Sequence, residues 1–89
     1  MEIIERYFEN GQLMLHGYLD NSGEAQGQWK SFHNNGQLEA QGNYIDNQKD
    51  GLWQYYYTNG QIKAIVNYEY GIPDGTQKYF KEDGSLDKP

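Results

Sequence analysis

Cysteine is absent from this 89-residue chain. No disulfide staples the fold, and no thiolate can act as nucleophile or metal ligand. The absence fits a reducing compartment. Cations are scarce: seven Lys and Arg stand against thirteen Asp and Glu, for a net charge of −6. A binder of phosphate backbones needs clustered cations, so nucleic acid is not expected as a partner. Attachment to an anionic membrane is disfavoured for the same reason, whereas a basic partner would suit this charge. Long apolar runs are missing too. Glu2, Glu5 and Glu9 interrupt the apolar residues of the N-terminus, so no signal peptide is expected. No stretch approaches the length of a membrane span. These features lead us to expect a soluble cytoplasmic protein.

Aromatics make up 16% of the chain, with nine Tyr, and glycine numbers eleven. Disordered chains and β-repeat arrays both show such a composition, and periodicity separates them. The strings Asn10-Gly11-Gln12-Leu13, Asn35-Gly36-Gln37-Leu38, Asn59-Gly60-Gln61-Ile62 and Asp83-Gly84-Ser85-Leu86 place their glycines 25, 24 and 24 residues apart. Gly27, Gly51 and Gly75 form a second column in the same register. A third contains Trp29 and Trp53, with Gln77 next and Ile4 before. A fourth contains Tyr7, Phe32, Tyr56 and Phe80. Agreement among four columns establishes a tandem repeat.

Asn-Gly between alternating apolar residues is a hairpin signal, and a type I′ turn is expected at each. Each repeat is then one β-hairpin, over about 2–20, 27–46, 51–70 and 75–88. The outgoing strands alternate: Leu38, Ala40, Gly42 and Tyr44 share one face, as do Ile62, Ala64, Val66 and Tyr68. That face is the expected core. Trp29 and Phe32, like Trp53 and Tyr56, lie three apart. Either a bulge turns both inward, or each strand shows one aromatic on each face. The short turn-rich connections favour antiparallel neighbours. The expected fold is therefore all-β: tandem antiparallel β-hairpins of about 24 residues in an elongated meander or β-solenoid-like sheet, forming a single repeat domain over 1–89. Open edges on such a sheet invite homo-oligomerisation.

Gly51, Trp53, Tyr56, Tyr57, Asn59, Gly60 and Ile62 resemble the MORN repeat in its bacterial variant. Gly27, Trp29, Phe32, Asn35, Gly36 and Leu38 repeat the resemblance. The outer copies depart from it as end caps do, with Gln77 for tryptophan and Asp83 for asparagine. The resemblance implies a component like the antitoxins of toxin–antitoxin systems, its partner a cognate toxin. It also implies protein contacts, sometimes membranes, and no catalytic residues.

The residues themselves offer no enzyme. His16 and His33 occupy unrelated repeat positions, so no Ser-His-Asp or Cys-His constellation can be drawn. The segment from Asp46 begins like a calcium loop but has Tyr57 where a bidentate Glu is needed. No metal or cofactor is expected. Trp29, Trp53, Phe32, Tyr56 and Phe80 are expected in the core. Tyr55 and Tyr79 share a column with Ser31, and Tyr57 shares one with His33 and Lys81. Columns that accept Ser and Lys should face solvent, and exposed Tyr is favoured at interfaces. Tyr55, Tyr57, Tyr79 and His33 are therefore the candidate partner contacts. The expected function is a non-enzymatic protein-binding module of antitoxin or immunity type, acting by occlusion of a basic partner. The alternatives are a carbohydrate- or choline-binding aromatic array and a membrane-associated scaffold.

Overall fold

A computed structural model describes residues 1–87. Seven strands follow one another: β1 (Glu2–Tyr7), β2 (Leu13–Leu19), β3 (Ala25–Phe32), β4 (Leu38–Ile45), β5 (Gln48–Tyr56), β6 (Ile62–Glu69) and β7 (Ile72–Tyr79). They form one sheet in chain order, every neighbour antiparallel. No helix occurs among the described residues. The molecule measures 42 × 35 × 12 Å. Stacked sheets lie about 10 Å apart before their outer side chains are added, so 12 Å leaves room for one layer only. The fourth repeat contributes β7 and an isolated bridge between Phe80 and Leu86. Residue 88, the far end of the fourth expected hairpin, lies outside the described residues.

The turns at Asn-Gly are not type I′. Gly60 N–H donates to the Tyr57 carbonyl at 3.0 Å, and Tyr57 N–H donates to the Gln61 carbonyl at 2.8 Å. The same pair of bonds recurs around Gly11, Gly36 and Gly84. Among the described residues positive φ outside glycine is confined to Asp46, Asn47 and Tyr70, so Asn59 is not left-handed. Each Asn-Gly loop is therefore a type I turn followed by a left-handed glycine, the three-residue hairpin connection. The asparagine side chain favours this geometry. Asn59 Oδ1 accepts the Gln61 N–H at 2.9 Å, as Asn10 and Asn35 do for Gln12 and Gln37. Type I′ turns lie at the opposite end of the sheet, at Asp46-Asn47 (φ 51° and 69°) and Tyr70-Gly71 (φ 52° and 79°). The first connection there, Asp20 to Glu24, is again the three-residue kind. That extra residue accounts for the single spacing of 25.

Gly60 has φ +89°, and a Cβ there would stand 3.3 Å from Gln37 Oε1. Gly60→Val should cost about 1–3 kcal/mol, because a β-branched residue resists this conformation. An unchanged denaturant midpoint would contradict the assignment.

The same turns tie the repeats together. Asn10 Nδ2 donates to the Asn34 carbonyl, Asn35 Nδ2 to Thr58 and Asn59 Nδ2 to Glu82. Asparagine thus caps its own turn with its oxygen and reaches the next repeat with its amide. Asp83, in the last repeat, keeps the oxygen role, accepting the Ser85 N–H at 2.9 Å. It has no amide to reach onward.

Candidate partner-binding face

Glycine columns in the outgoing strands seat the tryptophans of the following strands. A Cβ on Gly17 would lie 2.0 Å from Trp29 Cδ2, and one on Gly42 would lie 2.2 Å from Trp53 Cδ2. Room comes from bulges in β3 and β5, where the register shifts opposite these glycines. At the third interface Val66 replaces the glycine and pairs with Gln77 in place of tryptophan. The core is small: Ala25, Ala40, Trp53, Ala64 and Val66 are buried, Trp53 to 4% exposure. Trp29 is half-buried.

Paired registers run Ser31–Ala40–Tyr55–Ala64–Tyr79 across β3 to β7. Residues two apart on a strand share a face, so this row lies on the Trp53 side of the sheet. The expectation of solvent exposure is therefore corrected for Tyr55, which is half-buried on the core side, and not for Tyr79. Ser31 occupies their column because this row packs small against large, not because it is remote from the core. Tyr55 is half-buried and Tyr79 is 46% exposed.

Tyr57 and His33 are half-buried at the turn end and serve the inter-repeat ladder. Tyr57 OH donates to the Phe80 carbonyl at 2.6 Å. His33 Nε2 lies 3.0 Å from the Tyr56 carbonyl, which sets that nitrogen as the donor. Lys81 ends this column. Tyr56 OH approaches Gln41 and Gln54, which share the face opposite Trp53. The strand therefore shows Trp53 and Tyr55 on one side and Tyr56 on the other. That opposite face is polar around Gln28, Gln41, Asn43 and Gln54, with Leu52 exposed among them.

The aromatic face is continuous. Ring centroids are 5.7 Å apart for Trp29–Tyr44, 5.1 Å for Tyr44–Trp53, 6.2 Å for Trp53–Tyr55 and 6.5 Å for Trp53–Tyr68. Trp53 Nε1 donates to the Asn43 carbonyl at 2.9 Å. Trp29 Nε1 is buried without a hydrogen-bond partner among the described residues. Lys49 Nζ stands 5.0, 5.3 and 5.2 Å from the rings of Trp53, Tyr55 and Tyr68. It donates to Tyr55 OH at 2.9 Å, and the two phenol oxygens lie 3.0 Å apart. Tyr44, Lys49 and Tyr68 were not among the sequence candidates. The signal available was the Tyr44–Tyr68 column, one repeat apart at the ends of outgoing strands.

Burial pushes the Tyr55 and Tyr68 phenols above the ordinary tyrosine value of 10.0. Such a group binds its proton more tightly when folded, so its contribution holds below about pH 10 and is lost as pH rises further. Denaturant midpoints should therefore fall above about pH 10, and fall less in Tyr68→Phe than in the native chain. Equal slopes would remove the phenol pair from the explanation.

Asp20, Glu24 and Asp46 bring carboxylate oxygens within 4.8 Å of one another. Gln26 Nε2 donates to Asp20 at 3.0 Å and to Asp46 at 2.6 Å, so an amide already bridges two of them. The Gln26 amide, followed by the Glu24 N–H, holds the Asp20 carboxyl below the ordinary range.

An open aromatic sheet face built by tandem hairpins defines a repeat module. Residues 25–46 and 49–70 each match the MORN repeat variant family. Two segments of the chain are thus similar to MORN-variant repeats, which are generally protein- or membrane-binding modules. No curated protein and no solved structure matches the chain.

Proposed function

We propose that this chain is a non-enzymatic protein-binding module of antitoxin or immunity type, which covers the working surface of a basic partner with its tryptophan face. The observation that carries the reading is a single layer, 12 Å thick, whose aromatic face has no covering layer. Domains normally bury such a face against a second layer. Aromatic side chains are enriched at interface centres. The net charge of −6 favours encounter with a basic protein and disfavours an anionic membrane. Tyr79 and Tyr55 would touch the partner directly. Tyr57 and His33 would flank the contact at the turn end.

The test begins with affinity capture from the native cell and an activity assay on the captured protein. A basic partner whose activity is inhibited at one-to-one stoichiometry supports the proposal. Tyr79→Ser should then weaken binding about tenfold or more with an unchanged unfolding midpoint. Leu52→Ser, on the opposite face, should not. The reverse pattern would move the contact to the polar face, and a partner left uninhibited would overturn occlusion.

A further inference from the structure

Lys49 is unusual among the cations of this acidic chain. No carboxylate lies within salt-bridge distance of it among the described residues. Its ammonium is held instead by three aromatic rings at 5.0–5.3 Å, inside the range of cation–π attraction. An ammonium carries three N–H donors. One of these goes to the Tyr55 hydroxyl. A primary ammonium is strongly hydrated, and a cage of ring faces replaces that hydration poorly. A quaternary or fully methylated ammonium has no N–H to satisfy and little hydration to lose. The box of Trp53, Tyr55 and Tyr68 therefore suits such a group better than it suits its resident.

Access exists on the same face. A groove of about 400 Å³ runs beside Lys49, lined by Tyr44, Trp53 and Tyr55, with Glu39 and a second cation, Lys63, also on its wall. Glu39 is exposed on the wall of the groove, where it accepts from the Ser31 hydroxyl and offsets the charge of Lys63. Lys49 is half-buried on a strand, and its four-carbon stem can leave the box by a rotamer change without disturbing the backbone.

We propose that Trp53, Tyr55 and Tyr68 form a recognition site for a methylated ammonium group, and that Lys49 occupies it as a tethered competitor. The ligand displaces the lysine side chain toward the groove. A tethered competitor acts at an effective concentration of about millimolar or above, so it lowers apparent affinity without destroying the site. The site stands independently of the partner proposed above, because a small cation is enough to test it.

The probe is tetramethylammonium chloride, titrated at constant ionic strength and followed through the indole N–H resonances of Trp53 and Trp29. The native protein should show a weak shift confined to Trp53. Lys49→Ala should bind about tenfold more tightly, and adding Tyr68→Ala to it should abolish binding. Ammonium chloride should produce no saturable shift in either protein. If Lys49→Ala loses the fold, Lys49→Thr carries the same test with better strand propensity. A folded Lys49 variant with no saturable shift overturns the proposal. So does binding no tighter than in the native chain, or equal binding of ammonium.

Discussion

Gly42→Val is expected to remove about half of the folding stability of the protein. A Cβ at Gly42 would sit 2.2 Å from Trp53 Cδ2, 2.3 Å from Cε2 and 2.4 Å from Cγ, all atoms of a rigid indole. The ring cannot flex away, so it must leave its seat. Overpacking alone costs about 1–3 kcal/mol, and displacing a buried tryptophan costs about 3–5 kcal/mol. We expect about 3–5 kcal/mol, against a total of about 5–10 kcal/mol for a domain of this size. The third interface suggests the compensation. There Val66 faces Gln77, and no indole requires a glycine. Gly42→Val combined with Trp53→Gln should therefore cost less than the sum of the two single changes, by about 1–2 kcal/mol. Urea unfolding of the four members of the cycle measures the coupling. Simple additivity would show that glycine and tryptophan do not form one unit.

Trp53→Ala should cost about 3–5 kcal/mol, the range for buried aromatic truncation. Trp53 is the largest buried residue, touching Tyr44, Tyr55 and Tyr68, and its N–H is satisfied by the Asn43 carbonyl. Trp29 occupies the same column but is half-buried with its N–H unpaired. The milder substitution separates the two. Trp53→Phe removes a hydrogen bond worth about 1 kcal/mol, whereas Trp29→Phe removes an unsatisfied donor. Trp53→Phe should thus be the more damaging by at least about 1 kcal/mol. Equal unfolding midpoints for the two Phe variants would show that the repeats are energetically equivalent despite their different surroundings.

The second repeat interface is consequently the stability centre of the sheet. It lies between the two segments that match the MORN repeat variant. It also holds the Lys49 cage, so the best-packed part of the molecule and its most specific chemistry coincide. A thin sheet has few places where a side chain can be held rigidly. The inter-repeat contacts of Trp53 provide one, and rigid aromatic walls are what ammonium recognition requires.

Much of this was legible from residues alone. Repeat columns located the hairpins β1–β2, β3–β4 and β5–β6, because a turn that needs a left-handed residue accepts few residue types, and glycine recurs wherever it is needed. Alternation in the outgoing strands located Ala40, Ala64 and Val66 in the core, because side chains alternate strictly between faces. The column reading misled at Tyr55, although not at the exposed Tyr79. Ser31 in their column suggested solvent, yet the row packs Tyr against Ala across strands, and a small residue there is a packing choice. Lys81 in the Tyr57 column suggested exposure, yet Tyr57 reaches the following repeat through Phe80. The turn type was also misassigned. Asn-Gly suits type I′, but the Asn59 side-chain oxygen captures the Gln61 N–H and its amide reaches Glu82. The first bond is local to the turn, whereas the second reaches the next repeat, and no local propensity contains it.

By itself the sequence determined the repeat length, the hairpins, the strand order and the acidic character, all of which follow from local periodicity and composition. Only the tertiary structure decided which face the tyrosines share, which glycine each tryptophan covers, and that Lys49 stands inside three rings. These depend on register between strands. A bulge of one or two residues changes which side chains meet, and its position is set by packing between neighbouring repeats rather than by any residue read alone.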